Sequence, residues 1–361
     1  MKSWLAGVLL FAVAVAVAVA APGAESSPAV VSYPTVLSYA TPYGPNHTFS
    51  RADKTWMQWV AAHSGGRLQI RPIWSGGLIS SDQSLIELRH GVADIGLITP
   101  IYARGGAHLI RVQTGFYAGA KTYEQQVAMY RCLIAAAPEY AEELTGLKIL
   151  AVQGGTLPGL LVRTREVHTL EDLRGLRIRV PTELLNVMRD LGADPVTMPM
   201  GEVYSSLAKG VLDAVVAPAD TLKSMHFGEV AKYYTELEVP RGAYPSRAMG
   251  DKRWRSLTPE ERAILEASIP VWEAALSTET QAAARSGEIE GRAQGVRFIP
   301  IGAAEQRRFD DLYEEDAGRA AQSLSRFDID GTAVFNEARQ IAKGLEQTGQ
   351  VVCPRGENAA T

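Results

Sequence analysis

The chain has 361 residues, 46% of them hydrophobic and 21% charged, with a net charge of −4. That composition describes a globular protein with enough residues for two domains with separate cores. The near balance of charge, with no run of Lys or Arg that could track phosphates, argues against nucleic acid as a partner.

Lys2 and an apolar segment from Trp4 to Ala21 open the chain, and Ala18, Val19 and Ala20 form a small, any, small cleavage pattern. Residues 1–20 therefore read as a secretory signal peptide, although an apolar run of about 18 residues could also serve as an uncleaved membrane anchor. No cysteine lies near the cleavage site. Cys132 and Cys353 could pair in an exported protein or stay apart as buried thiols, and neither has a metal or catalytic context.

A strand is expected over 35–40, followed by Thr41, Pro42, Tyr43, Gly44, Pro45, Asn46 and His47. In a lobe of parallel strands, ligands gather where such loops meet the next helix, which makes Tyr43 and Asn46 candidates to line a cleft. The helix expected over 49–62 carries Phe49, Trp56, Trp59 and Val60 as core positions. After a strand over 67–73, the turn Ser75, Gly76, Gly77 lacks the Lys and Ser/Thr of a phosphate loop. A helix over 82–90, with His90 suited to the helix dipole, leads to a strand over 95–99 with Thr99 at its carboxyl end. A helical region over 122–144 precedes a strand over 147–153, which ends in Gln153 and a possible hinge at Gly154 and Gly155.

The stretch 173–220 is the most informative. Residues 176–180 alternate apolar and charged as a short strand does, and Pro181 and Thr182 then start a helix expected over 183–191. Arg179 thus falls where a strand ends and a helix begins, a place where a guanidinium and free N–H groups suit an anion. Arg177, on the same face, is the alternative. A second helix over 202–209, stopped by Gly210, precedes a strand over 214–216 that ends before Pro218. Leu88, Gly91, Val92 and Asp94 match Leu207, Gly210, Val211 and Asp213 at a constant separation, so one helix, glycine, aspartate and strand unit occurs twice. Two α/β lobes of like design follow from that pairing.

A helix is expected after Asp220, through Lys232, with Asp220 a possible partner for a cationic or hydroxylated ligand group. Met225 and His226 have no second histidine at metal-binding spacing. Residues 233–239 and the loop 240–245, with Tyr244, return to the first lobe. One long helix is expected over 259–293, opened by Thr258, Pro259 and Glu260, with its GEIEGR wording on a solvated face. Further helices over 306–342 pack outside, and the tail from Thr348 is loose.

The runs DLRGLRIRVP, LGADPVTMP and EVYSSLAKGVLDAVVAP, with GGRLQIRPIWSGGLISSDQSLIELRHGVADIGLITP upstream, resemble the solute-binding proteins of TRAP (tripartite ATP-independent periplasmic) transporters, from about Tyr33 to about Phe309. The resemblance implies a two-lobed periplasmic-binding-protein-like clamp, each lobe a mixed sheet flanked by helices, with a long helix spanning both. It divides the chain into 31–155 plus 245–284, 156–244 plus 285–340, and a tail over 341–361. Arg179 would bind the carboxylate of a small organic acid. Tyr43, Asn46, Thr99, Gln153, Tyr204, Pro218, Asp220 and Tyr244 are the further ligand-binding candidates. No catalytic residue, cofactor or protein-bound metal is expected. The implied partners are the acid and the membrane subunits of a TRAP permease, for a monomer in the periplasm.

Two positions depart from the family. Gly159 stands where many members carry an arginine, and Ala217 where many carry an asparagine. Their loss points toward a monocarboxylate with an apolar or aromatic body. Two other functions share such a frame: the binding component of an ATP-driven importer, disfavoured by the RIRVP and GVLDAVVAP wording, and an exported enzyme. The chain has no GxSxG, HExxH, CxxC or phosphate-loop motif, and His47 is the one histidine near the expected cleft.

Overall fold

The computed structural model describes residues 34–354, so the expected signal peptide lies outside the described residues. Its strands are β1 (Thr35–Ala40), β2 (Leu68–Ile73), β3 (Ile95–Leu97), β4 (Leu147–Gln153), β5 (Gly159–Val162), β6 (Arg177–Arg179), β7 (Asp194–Val196), β8 (Ala214–Ala217), β9 (Tyr233–Thr235), β10 (Tyr244–Gly250) and β11 (Arg297–Ile299). They form two sheets, ordered β2-β1-β3-β10-β4 and β11-β9-β5-β8-β6-β7. Each sheet is mixed: β1 runs parallel to β2 and β3, while β10 lies antiparallel between β3 and β4. In the second sheet β6 is parallel to β7 and β8, and β5 is antiparallel to β8 and β9. The chain is a two-lobed α/β clamp, as expected.

Alternation along the strands of the second sheet builds a core on each face. Leu160, Val162, Ala214 and Val216 enter one cluster, and Leu161, Val215 and Ala217 the other. The repeated unit has a structural reason. Gly91 and Gly210 both adopt left-handed φ, 75° and 71°, which ends each helix. Asp94 then accepts the Ser38 N–H at 2.8 Å, and Asp213 accepts the Arg177 N–H at 2.8 Å. Each aspartate ties its unit to the neighbouring parallel strand, β1 in one lobe and β6 in the other.

The helix Ile269–Ala293 touches both lobes. Trp272, Leu276, Thr280, Ala283, Gly287 and Gly291 form its buried stripe at helical spacing. Trp272 and Leu276 pack in the first core. Toward its end the stripe turns to glycine, because a Cβ at Gly287 would lie 2.2 Å from the Ala219 carbonyl oxygen and one at Gly291 2.7 Å from Leu222 Cδ1. The GEIEGR glycines are therefore a packing seam, not the solvated face expected, while Ile289 beside them is exposed.

Other expectations change with context. The helix expected over 259–293 breaks at Ser268, since Pro270 has no N–H to continue it. The helix expected after Asp220 through Lys232 is only Thr221–Ser224 and a 3-10 turn Phe227–Glu229, separated by His226 at φ 60°. Strands β10 and β11 have no clear periodicity and form by pairing with distant partners, β3 and β4 for the one and β9 for the other. Helix Gly331–Thr348 buries Val334, Ala338, Ile341 and Leu345 in the first core. This helix packs on the helices Tyr123–Ala136 and Ala303–Gln322. The tail is also not loose where described, because Cys353 is disulfide-bonded to Cys132. Among the described residues no helix is long and apolar enough to cross a membrane.

Candidate functional site

The sheets bring their loops together around a cavity of about 140 Å³. On the second-lobe side its wall is the edge where β5, β8 and β6 lie next to one another, with Gly159 opposite Ala217 and Arg179 beside Val215. Arg179, the last residue of β6, is 3% exposed. Its Nε donates to the Met198 carbonyl at 3.0 Å and its Nη2 to the Tyr102 hydroxyl oxygen at 2.8 Å. Among the described residues no carboxylate comes within the 4.0 Å of an ion pair with it. The helix expected beside Arg179 begins only at Leu185, is six residues long and follows a 3-10 turn Thr182–Leu184. Anion attraction here belongs to the guanidinium, not to a helix start.

The first lobe supplies an aromatic wall. Tyr43 stacks on His47 at 4.0 Å between centroids and meets Phe49 edge-on at 5.5 Å. Burial, aided by nearby Arg51 and Arg247, pushes His47 down to about 3, so the ring is neutral at physiological pH. Burial raises the Tyr43 and Tyr244 hydroxyls, which stay protonated and able to donate. Tyr102, Ile101, Met200, Val216 and Val239 complete a mainly apolar lining.

Three more charged groups face the cavity: Glu183, Asp220 and Arg241. Burial raises the Glu183 carboxyl, and its Oε2 is buried with no hydrogen-bond partner among the described residues. Burial pushes Asp220 up to about 6, against a hydrogen bond from the Ser224 hydroxyl at 3.0 Å and the pull of Arg241. Among the described residues no group of three His, Cys, Asp or Glu side chains is placed to hold a metal ion.

Residues 39–322 match the sequence model of the bacterial extracellular solute-binding protein family 7, DctP. The chain belongs to this family. A family relative, a monocarboxylate 2-oxoacid-binding periplasmic protein of Nostoc sp., is 27% identical over 273 residues, 73% of this chain and 74% of its own. The fold is also that of a TRAP solute-binding protein from Rhodoferax ferrireducens with copurified benzoate, at a TM-score of 0.77 and 22% identity over 88% of this chain and all 100% of the other. A TRAP solute-binding protein from Bordetella bronchiseptica with bound (R)- and (S)-mandelate superposes with a TM-score of 0.72 and 19% identity, covering 86% of this chain and 100% of that one.

Against this family-7 frame, the expected residues divide. Tyr43, Thr99, Arg179, Pro218, Asp220 and Tyr244 all line the cavity. Asn46 lines instead an outer cleft with Arg51, Lys223 and His226, beyond the Tyr43 and His47 wall. Gln153 is fully buried behind the cavity, where it donates to the Tyr244 hydroxyl at 3.3 Å and accepts from Arg247 Nη1 at 2.9 Å. Tyr204 lies outside the cavity and donates to Glu229 at 2.8 Å. Arg177 is exposed beside Asp194.

Phe49 packs against the first core as expected and also lines the cavity, as do Tyr102, Glu183 and Arg241, which the sequence did not place there. Arg241 had one sequence signal, its position in the segment that crosses between lobes. The two family departures also take shape. Ala217 presents a methyl group to the cavity, and a Cβ at Gly159 would lie 2.6 Å from Tyr234 Cζ, so Tyr234 fills the space of a side chain there.

Proposed function

We propose that the protein is the periplasmic receptor of a TRAP transport system, binding a small organic acid without turnover and delivering it to the membrane subunits of a permease. The observation that carries this reading is Arg179, a buried guanidinium at a cavity edge with only neutral partners. A carboxylate can complete it with charge-assisted hydrogen bonds that gain strength away from water. Cavities near 150 Å³ take about one benzene ring, so about 140 Å³ suits a single-ring or short-chain acid. The ligand would touch Arg179 in one lobe and the Tyr43, Phe49 and Tyr102 wall in the other, and such two-sided contact favours the closed clamp over an open one.

The test is a thermal-shift and calorimetric screen of the mature chain against small carboxylic acids and their uncharged amides. An acid at about 100 times its Kd should stabilise the wild type by roughly 2.7 kcal/mol. Its amide should not, Arg179→Met should weaken the acid by about 100-fold, and the acid should be recovered unaltered. Equal stabilisation of wild type and variant would place the carboxylate elsewhere, and consumption of the acid would make the protein an enzyme.

A further inference from the structure

Arg241 and Asp220 form a second polar position in the same cavity. We propose that this pair reads a hydroxyl group on the body of the bound acid, so that the ligand is a small hydroxylated carboxylate. The inference rests on the acid-receptor reading and specifies its substrate class.

Arg241 lies in the segment between Val239 and Tyr244, and its guanidinium covers the hinge glycine. A Cβ at Gly155 would stand 2.3 Å from Arg241 Cζ, so only glycine leaves it this position. Gly155 is itself fixed by Gln126, which accepts the Gly155 N–H at 2.8 Å and donates to its carbonyl at 3.0 Å. Gly155 leads into β5, on one side of β8, and Arg179 ends β6 on the other. Arg179 and Arg241 both line the cavity, one at the end of β6 and the other beside the segment that enters β5. The cavity thus has two guanidinium groups on its lining, although Gly159 leaves the family's usual arginine position without a side chain.

Asp220 follows β8 and sits between the cavity and the long helix, its backbone held against Gly287. Only the Ser224 hydroxyl is bonded to its carboxylate among the described residues. Arg241 and Asp220 face one cavity and feel each other's charge, yet they are not within the 4.0 Å of an ion pair. A group seated between them must accept from the guanidinium and donate to the carboxylate. A hydroxyl does both. An ammonium accepts nothing and would face Arg241. A second carboxylate donates nothing and would face Asp220 and Glu183. An apolar group would leave Arg241 without a bond to the ligand and Asp220 with the Ser224 hydroxyl alone, a larger loss than one missing hydrogen bond.

The experiment measures Kd for three matched pairs: mandelate and phenylacetate, 3-hydroxybenzoate and benzoate, and 2-hydroxy-4-methylpentanoate and 4-methylpentanoate. Phenylglycine serves as the ammonium analogue of mandelate. In the wild type at least one hydroxy acid should bind tenfold or more tighter than its hydroxyl-free partner, and phenylglycine no tighter than phenylacetate. Arg241→Met and Asp220→Asn should each bring that ratio toward one. A wild-type ratio near one in all three pairs would overturn the inference while leaving the acid receptor in place, and so would a ratio that survives both substitutions. The wild-type comparison stands even if a variant fails to fold. If no acid of either kind binds, the receptor reading falls together with this one.

Discussion

The Arg179 guanidinium donates to the Tyr102 hydroxyl at 2.8 Å, joining the end of a second-lobe strand to a first-lobe turn 77 residues away in sequence. The hydroxyl oxygen accepts from Arg179, which leaves its own proton to donate. A carboxylate on the free part of the guanidinium can take that proton's hydrogen bond as well, so one small group binds both lobes.

Tyr102→Phe keeps the ring and removes only this link. Acid affinity should fall about tenfold, chiefly through faster dissociation, because hydrogen bonds to charged groups contribute about 1.5–3 kcal/mol and some is recovered by water. Stopped-flow measurement of both rates checks it. An unchanged dissociation rate would mean that Tyr102 serves only to pack against the arginine.

Stability should depend on pH through Asp220. Its folded pKa of about 6 lies above the ordinary value of 3.8, with burial the main cause. Folding therefore favours the protonated form, and this contribution is fully present below about pH 4 and lost as pH rises through 6. Glu183 is raised in the same direction by burial. Asp220→Asn removes the Asp220 part alone and should make the ligand-free protein more stable than wild type at pH 8, by at most about 3 kcal/mol, with little gain at pH 4. Urea unfolding at the two pH values decides it, and an equal difference at both would show that Asp220 does not titrate in this window.

The Cys132–Cys353 disulfide closes a separation of 221 residues and fastens the last described segment to the helix Tyr123–Ala136. Replacing both cysteines by serine should lower stability by roughly 3–5 kcal/mol through the greater freedom of the unfolded chain. Acid affinity should stay within about twofold, because neither cysteine lines the cavity. Unfolding and calorimetry of one preparation separate the two effects.

Buried and exposed ion pairs should behave oppositely. Arg247 Nε donates to Asp53 at 3.0 Å with both side chains fully buried, and Trp272 and Tyr39 donate to the same carboxylate. Asp53→Asn leaves the arginine buried without its counter-charge and should cost about 3–5 kcal/mol. Glu238→Gln, at the exposed Lys121–Glu238 pair, should cost less than about 1 kcal/mol. Comparable losses would refute the role given to burial.

Much of the architecture follows from spacing along the chain alone. Strands β1 and β4 begin and end where alternation and turn residues place them, and the repeated glycine and aspartate units mark both lobes, because each depends on neighbours a few residues apart. Arg179 was legible for the same reason, as the end of an alternating strand within a recognisable run of residues.

What meets Arg179 was not legible. Tyr102, Glu183 and Arg241 reach the cavity only once two sheets are assembled, and Gln153 and Tyr204 turn away from it for the same reason. Strand β10 becomes a strand by pairing with β3 and β4, far away in sequence. By itself the sequence determined local periodicity, the twofold design and one arginine. Only the tertiary structure decided which loops converge and which charges are stripped of water, because side-chain direction and burial are set by contacts between distant parts of the chain.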